Sequence, residues 1–467
     1  RLRVLSGLLL CLLLAAPGLA DTNPLGTTLT NVTLTNGDCL NLGTIDNSIP
    51  TLYGIRGATV TLINGPTGLI LTSAFGAYGI FAEDGGAAWN IGGTIETWSG
   101  NLSHAMVAAD DSSAFNLGSI STHGMSSYGM WAVDGSFAMN LGSILTGGTS
   151  AHGMVAQTES EATNSGTIVT SGDEAAGMVA GDESVATNSG SIATSGTEAY
   201  GMAAYTNSLV ENTDEGTIVT SGDEAHGMLA QWASSADNAG SIVTSGLGAY
   251  GMLASGDSGI FNTGSILTSG DVAPGMVAEN NSSADNSGSI ETKGDSSHGM
   301  AAREGSYAVN NASGTIFASG TSASGMVATY ESAVTNFGSI ATSGDQAAGM
   351  AIAHDSTGTN TASGTIVTTG EYSAGMLAVP DSFAINNGSI VTHGAKANGI
   401  EVRSRSNGFN AGGAIATWGA EAHGMLVLED SYAYNDGSID TWGDGSHGMV
   451  ATDDSVADNF EAITTHN

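Results

Sequence analysis

Across 467 residues the chain has only 8 Lys+Arg, 6 Pro and 2 Cys, and aromatic residues make up 6%. Each shortage excludes something. Against 45 Asp+Glu the few bases leave a formal net charge of −37, so nucleic-acid phosphates and anionic lipid headgroups are electrostatically opposed partners. Cys11 lies in an N-terminal apolar run, so once that run is removed Cys39 has no partner for an internal disulfide. With 11% charged residues and 41% apolar ones, the chain is no charged disordered polymer. Its apolar residues are mostly Ala, Ile, Val and Met, which predicts a thin, layered core.

Residues 1–20, "RLRVLSGLLLCLLLAAPGLA", combine Arg1 and Arg3 with an apolar run and end in the small-residue pattern Gly18-Leu19-Ala20. This reads as a secretory signal peptide, because the run is shorter than the ~20 residues a membrane span needs. Residues 21–41 are read as a cap or entry segment. The chain begins with Arg and ends midway through a further unit at 460–467, so the expectation is a piece of a longer protein.

What the chain has in abundance is repetition. An Asn recurs at 64, 90, 116, 140, 164, 188, 212, 238, 262, 286, 310, 336, 360, 386, 410, 435 and 459, cutting residues 42–459 into seventeen units, most of 24 residues. The shared pattern is N-x-G-[ST]-I-x-T-x-G-x-x-A-x-G-M-x-A, then an acidic stretch, then S-x-A-x-N. Two or three Gly per unit exclude helices in effect, since each costs about 1 kcal/mol in a helix interior. Short runs of period two, such as "TIVTS" and "GMVAG", predict three strands per unit. No single unit buries its own apolar face, so the units must stack. The predicted fold is all-β, a single-stranded parallel β-helix (β-solenoid) of about 17 coils of ~24 residues, forming a rod on the order of 80 Å long.

Stacking puts like on like. The Asn amides are expected to form a hydrogen-bonded ladder. The glycines before Met, such as Gly153, Gly177 and Gly201, are expected at positive φ or where backbones approach closely. Fourteen of the sixteen Met share one slot, Met106 to Met449, and Ile80 and Ile400 take it in other coils. Ile cannot ligate Cu(I), so that column is read as core; Met125 falls outside it, in a corner. Thr170 and Thr194 share inward parity with Ile168 and Ile192, so they do not form the outward Thr array that ice binding needs.

Candidate functional residues are few. His104, His152, His226, His298, His423 and His447 recur just before the Gly-Met corner, in a slot other coils fill with Tyr or Ala, which reads as a solvated corner. Acidic pairs such as Asp173-Glu174, Asp182-Glu183 and Asp453-Asp454 gather at two corners per coil. They read as a solvated anti-aggregation surface, with Ca²⁺ at these corners as the alternative and no other metal or cofactor expected. Lys396, Arg403 and Arg405 form the one basic cluster; with Trp418 and Trp442 they make a candidate patch for contacting a sugar or an anion. No catalytic residue is assigned.

"NSGSIATSGTEAYGMAA" and its relatives over residues 42–459 resemble the N-x-G-x-I-x-T-x-G-x-x-A-x-G-I repeats of bacterial autotransporter passenger domains. The resemblance implies a right-handed β-helix carried across the outer membrane of a Gram-negative bacterium by a C-terminal barrel. This chain departs from it in placing Met where Ile is usual and in lacking the barrel segment, its only implied means of membrane attachment. The implied role is non-enzymatic: an extracellular or cell-surface rod, an adhesin meeting a protein or glycan on a host or neighbouring cell. The alternative is a β-helix enzyme that cleaves polysaccharides.

Overall fold

The computed structural model describes residues 21–23, 28–29, 32–34, 38–47, 53–98 and 100–466, and the signal-peptide reading of residues 1–20 lies outside them. The chain divides into two compact units, Arg1–Glu161 and Ala162–Asn467. Both are parallel β-solenoids of the right-handed type, with about 18 turns of ~24 residues between them and no helix among the described residues.

Each coil has three strands. One coil of the second unit consists of a Met strand (Met202–Tyr205), an Asn strand (Leu209–Asn212) and an Ile–Thr strand (Thr217–Thr220). Every strand pairs in parallel with its counterpart one coil on, placing Met202 against Met228, Asn212 against Asn238 and Ile218 against Ile242. The first unit repeats the scheme, with Met106 against Met130, Asn116 against Asn140 and Ile120 against Ile144. Pairing reaches back to Asp21–Asn23, where Asn23 lies opposite Asn41.

Side-chain alternation decides what is inside. Ile168 and Thr170 are buried together, and in "SVATN" it is Ala186 that points in while Val185 is half exposed. Thirteen of the fourteen column Met are fully buried; Met449 is partly exposed and Met125 is 53% exposed. In most coils the inward Thr hydroxyl donates to a carbonyl five residues on in its own coil, as from Thr170 to Ala175 at 2.6 Å, which closes the corner leading to the next Met strand.

Polar ladders stitch the coils. In the second unit the Nδ2 of Asn188 donates to Oδ1 of Asn212 at 2.8 Å and also reaches the carbonyl of Gly190, while its own Oδ1 accepts from Gly190 N–H. The same Oδ1 also accepts from Nδ2 of Asn164 at 2.8 Å, so all four hydrogen-bonding positions of the amide are engaged in a buried site. A second ladder runs through serine: the N–H of Ser184 donates to Oγ of Ser208, that of Ser208 to Ser234, and that of Ser234 to Ser258, at 3.1–3.2 Å.

The glycines before Met differ from one part of their expectation. Gly177 and Gly201 are not at positive φ. They are required by contact instead, since a Cβ on Gly201 would lie 2.2 Å from Ile218 Cγ2 and 2.5 Å from the carbonyl oxygen of Gly227. Positive φ belongs to the acidic corners. Between the Met and Asn strands two consecutive residues are left-handed, as at Asp182 (54°) and Glu183 (64°) or Asn280 (54°) and Asn281 (63°). A type I′ turn has this geometry and favours Asp, Asn and Gly, so backbone conformation accounts for part of the acidic composition.

Candidate functional site

By parity, the middle residue of each M-x-A strand points out of the solenoid, yet in the second unit Ala203, Leu229, Leu253, Val277 and Ala301 are at most 8% exposed. Neighbours just outside the strand cover them. Tyr200 and Tyr250 stand one slot before the Gly-Met step, Tyr205 closes its own Met strand on the other side, and all three pack against the stripe. Tyr200, His226 and Tyr250 stack as one wall, with ring centroids 5.3 and 4.5 Å apart and planes 12° apart. The outer Met face is therefore a groove with an apolar floor and an aromatic side. Along one stretch it opens to about 520 Å³ between Glu224, Leu247 and Val272 on the aromatic side and Glu279 on the other, with Tyr250 and Leu253 between them.

The histidines of this slot are structural acceptors. Nδ1 of His226 accepts the N–H of Tyr250 at 3.1 Å, Nδ1 of His104 that of Tyr128 at 3.0 Å, and Nδ1 of His298 that of Ser324 at 3.1 Å. An imidazole accepting at Nδ1 is neutral with its proton on Nε2. Burial pushes His104 down to about 3, with a further push from His152, and brings His152, His226 and His298 down to about 4. His423 and His447 stack 5.4 Å apart, and Nδ1 of His423 is taken by the N–H of His447. The reading of this slot as a solvated corner thus misses its hydrogen bond: His104 and His226 are buried.

The structure divides the basic and aromatic cluster over two corners. Lys396 sits at the tip of the corner before the Met strand and joins Arg403 in a second groove, together with Tyr372 and Glu401. Arg405 points elsewhere and forms a two-pronged ion pair with Asp381 at 2.7–2.8 Å. Trp418 and Trp442 line neither groove; they stack 4.1 Å apart with planes 5° apart, and Trp442 stacks in turn on His466. Glu401 occupies the outward slot between Leu377 and Leu426, only 6% exposed, held by Asn398 Nδ2 at 2.8 Å and by Arg403. This ion pair interrupts the apolar floor, which resumes at Leu426 and Val450.

A third hollow lies on the outer Asn face beside the inserted loop at 213–215. Glu211 and Asp237 occupy adjacent strands there, with Phe261 and Asp214 beside them. Burial raises Asp237; Ser235 donates to it and lowers it, and the neighbouring Glu211 raises it again. The corner acids do structural work as well. Oδ1 of Asp173, Asp223 and Asp271 accepts the backbone N–H of Thr197, Leu247 and Asp295 one coil on, at 2.9–3.0 Å. Among the described residues no group of three or more His, Cys, Asp or Glu stands close enough together to hold a metal ion.

Comparison with known proteins gives one family. The family described as "BigA third pectate lyase-like domain" matches residues 22–144, 93–216, 195–314 and 298–403, each match spanning about five coils. No curated protein matches the chain. Among solved structures, the Vag8–C1 inhibitor complex aligns over 96% of this chain and 99% of the other at 16% identity with a TM-score of 0.40, a likeness too loose to carry a functional argument.

Proposed function

Because the chain belongs to the family of the BigA third pectate lyase-like domain, we propose that it is a passenger-type β-helix displayed on a Gram-negative cell surface, acting by binding. The autotransporter-like repeat supports export and display, with membrane attachment through a barrel outside this chain. The partner is a protein or glycan on a host or neighbouring cell. The observation that carries a binding role over catalysis is the state of the bases. Among the described residues every Lys and Arg except Arg303 is within ion-pair distance of a carboxylate: Arg56 with Glu83, Lys293 with Glu291, Lys396 with Glu421, Arg403 with Glu401 and Arg405 with Asp381. An ion pair holds its base protonated, and the guanidinium of Arg303 is protonated at physiological pH in any case, so none of the six is poised to take a substrate proton.

Two measurements test this reading. Protease treatment of intact cells should remove the passenger, and protection from it would argue against display. Incubation with a panel of polysaccharides should release neither reducing nor unsaturated ends. Glu211 and Asp237 favour a second reading, glycan hydrolysis, because they stand directly opposite each other on adjacent strands with Asp237 raised and Phe261 alongside. Cleavage abolished by Glu211→Gln or Asp237→Asn would establish that alternative in place of binding.

A further inference from the structure

Resting on the binding role, we propose that the outer groove of the Met face between Glu224 and Glu279 docks an extended, cationic segment of a partner protein, one whose Lys or Arg side chains alternate with apolar ones. Charge is the first argument. Between Arg56 and Lys293 the sequence contains no Lys or Arg at all, so the field over this groove is negative along its length, and Arg303, one coil past Glu279, is the first base on this face beyond its end. Glu224 and Glu279 line opposite rims, two coils apart along the groove, with no ion-pair partner among the described residues. A cationic segment lying along the groove meets each in turn without displacing a resident base. The second groove differs here, since Lys396 and Arg403 already neutralise its carboxylates.

Shape and strain supply the second argument. Leu247 and Val272, 56% and 51% exposed, form one rim above Tyr250 and Leu253, so the aliphatic stems of Lys or Arg and apolar residues beside them have a surface to cover. Val272 also has φ 53°. A β-branched residue is strained in the left-handed region, and Gly248 occupies the equivalent site one coil earlier without strain. An exposed, apolar, strained residue at the lip of a groove has no stabilising role in the fold that glycine would not fill better, which points to contact with a ligand.

The test uses the full chain and a labelled peptide of about ten residues alternating Arg or Lys with Leu or Val, read by fluorescence anisotropy. The peptide should bind, its charge-inverted Glu counterpart should not, and affinity should fall as NaCl rises from about 50 to about 500 mM. Glu224→Gln with Glu279→Gln should weaken binding about tenfold. The matched pair Asp182→Asn with Glu183→Gln, which removes the same charge at a Met–Asn corner, should leave affinity within about twofold. Val272→Gly should weaken binding while holding or raising stability, a split that misfolding cannot produce. Equal losses from the two charge-removing pairs would reduce the effect to general polyanion attraction and overturn the proposal. So would undiminished binding in both the rim pair and Val272→Gly, or equal competition by spermine, which has the charge without the apolar groups. Surface display is read separately by protease, so either claim fails without the other.

Discussion

At the residue scale the clearest case is methionine. Met228 is fully buried between Met202 and Met252 in the same column, whereas Met125 is 53% exposed at a corner. Met228→Ala removes a buried side chain and leaves a cavity that stacked strands cannot close, so it should cost about 2–5 kcal/mol. Met125→Ala should fall within about 0.5 kcal/mol of wild type. Denaturant midpoints of the two variants, measured with and without Cu(I), check both the core role and its rival. Equal losses, or Cu(I) stabilisation that disappears in Met228→Ala, would instead mean a metal-binding column. The Met and Asn columns were readable from sequence because one residue type repeats at one slot and parity sends it inward. The serine ladder was not, since Ser184 and Ser208 look like turn residues until their Oγ atoms are seen accepting N–H groups from the coil before. Arg405 and Trp418 were grouped because they fall in consecutive coils, but one coil is long enough to put residues thirteen positions apart on different corners.

Elements, in this fold, are columns of like strands and corners, and the histidine column makes the sharpest prediction. An imidazole whose folded pKa is about 4, against 6.5 when unfolded, binds its proton later in the folded state. Its stabilising effect is complete above about pH 6.5 and is lost as pH falls from there towards 4. For His226 and His298 this amounts to about 2 kcal/mol each at pH 5. Asn398 suggests the control, because it occupies the same slot and its Oδ1 accepts the N–H of His423 at 2.8 Å without titrating. His226→Asn with His298→Asn should therefore keep the hydrogen bonds and flatten the loss of stability between pH 7 and pH 5. An unchanged acid slope in the double variant would place the pH dependence elsewhere, among the carboxylates. The outer Met groove belongs to this scale too. Sequence parity correctly sends Leu229 and Leu253 outward. Their burial depends on Tyr200 and Tyr250 folding over them from before the strand and Tyr205 from the end of the neighbouring one, a tertiary arrangement that period-two reasoning does not contain.

For the molecule as a whole, the net charge of −37 sets two forces against each other. Stacking in register holds like carboxylates about 5 Å apart along the corners, well inside the ~8 Å Debye length of physiological salt. Five ion pairs among the described residues oppose this repulsion, and their partly exposed members contribute at most about 1 kcal/mol each. Repulsion should win, so raising NaCl should raise the unfolding midpoint. Ca²⁺ at the corners adds a specific question. Asp173, Asp223 and Asp271 already commit one carboxylate oxygen to a backbone N–H on the next coil, and the acids of the I′ turns are drawn there by their left-handed φ. Neither role requires a cation. CaCl₂ and NaCl compared at equal ionic strength should then shift the midpoint alike, because screening alone is at work. A saturable rise at micromolar Ca²⁺, above that given by the matched NaCl, would mean that the stacked carboxylates coordinate the ion after all.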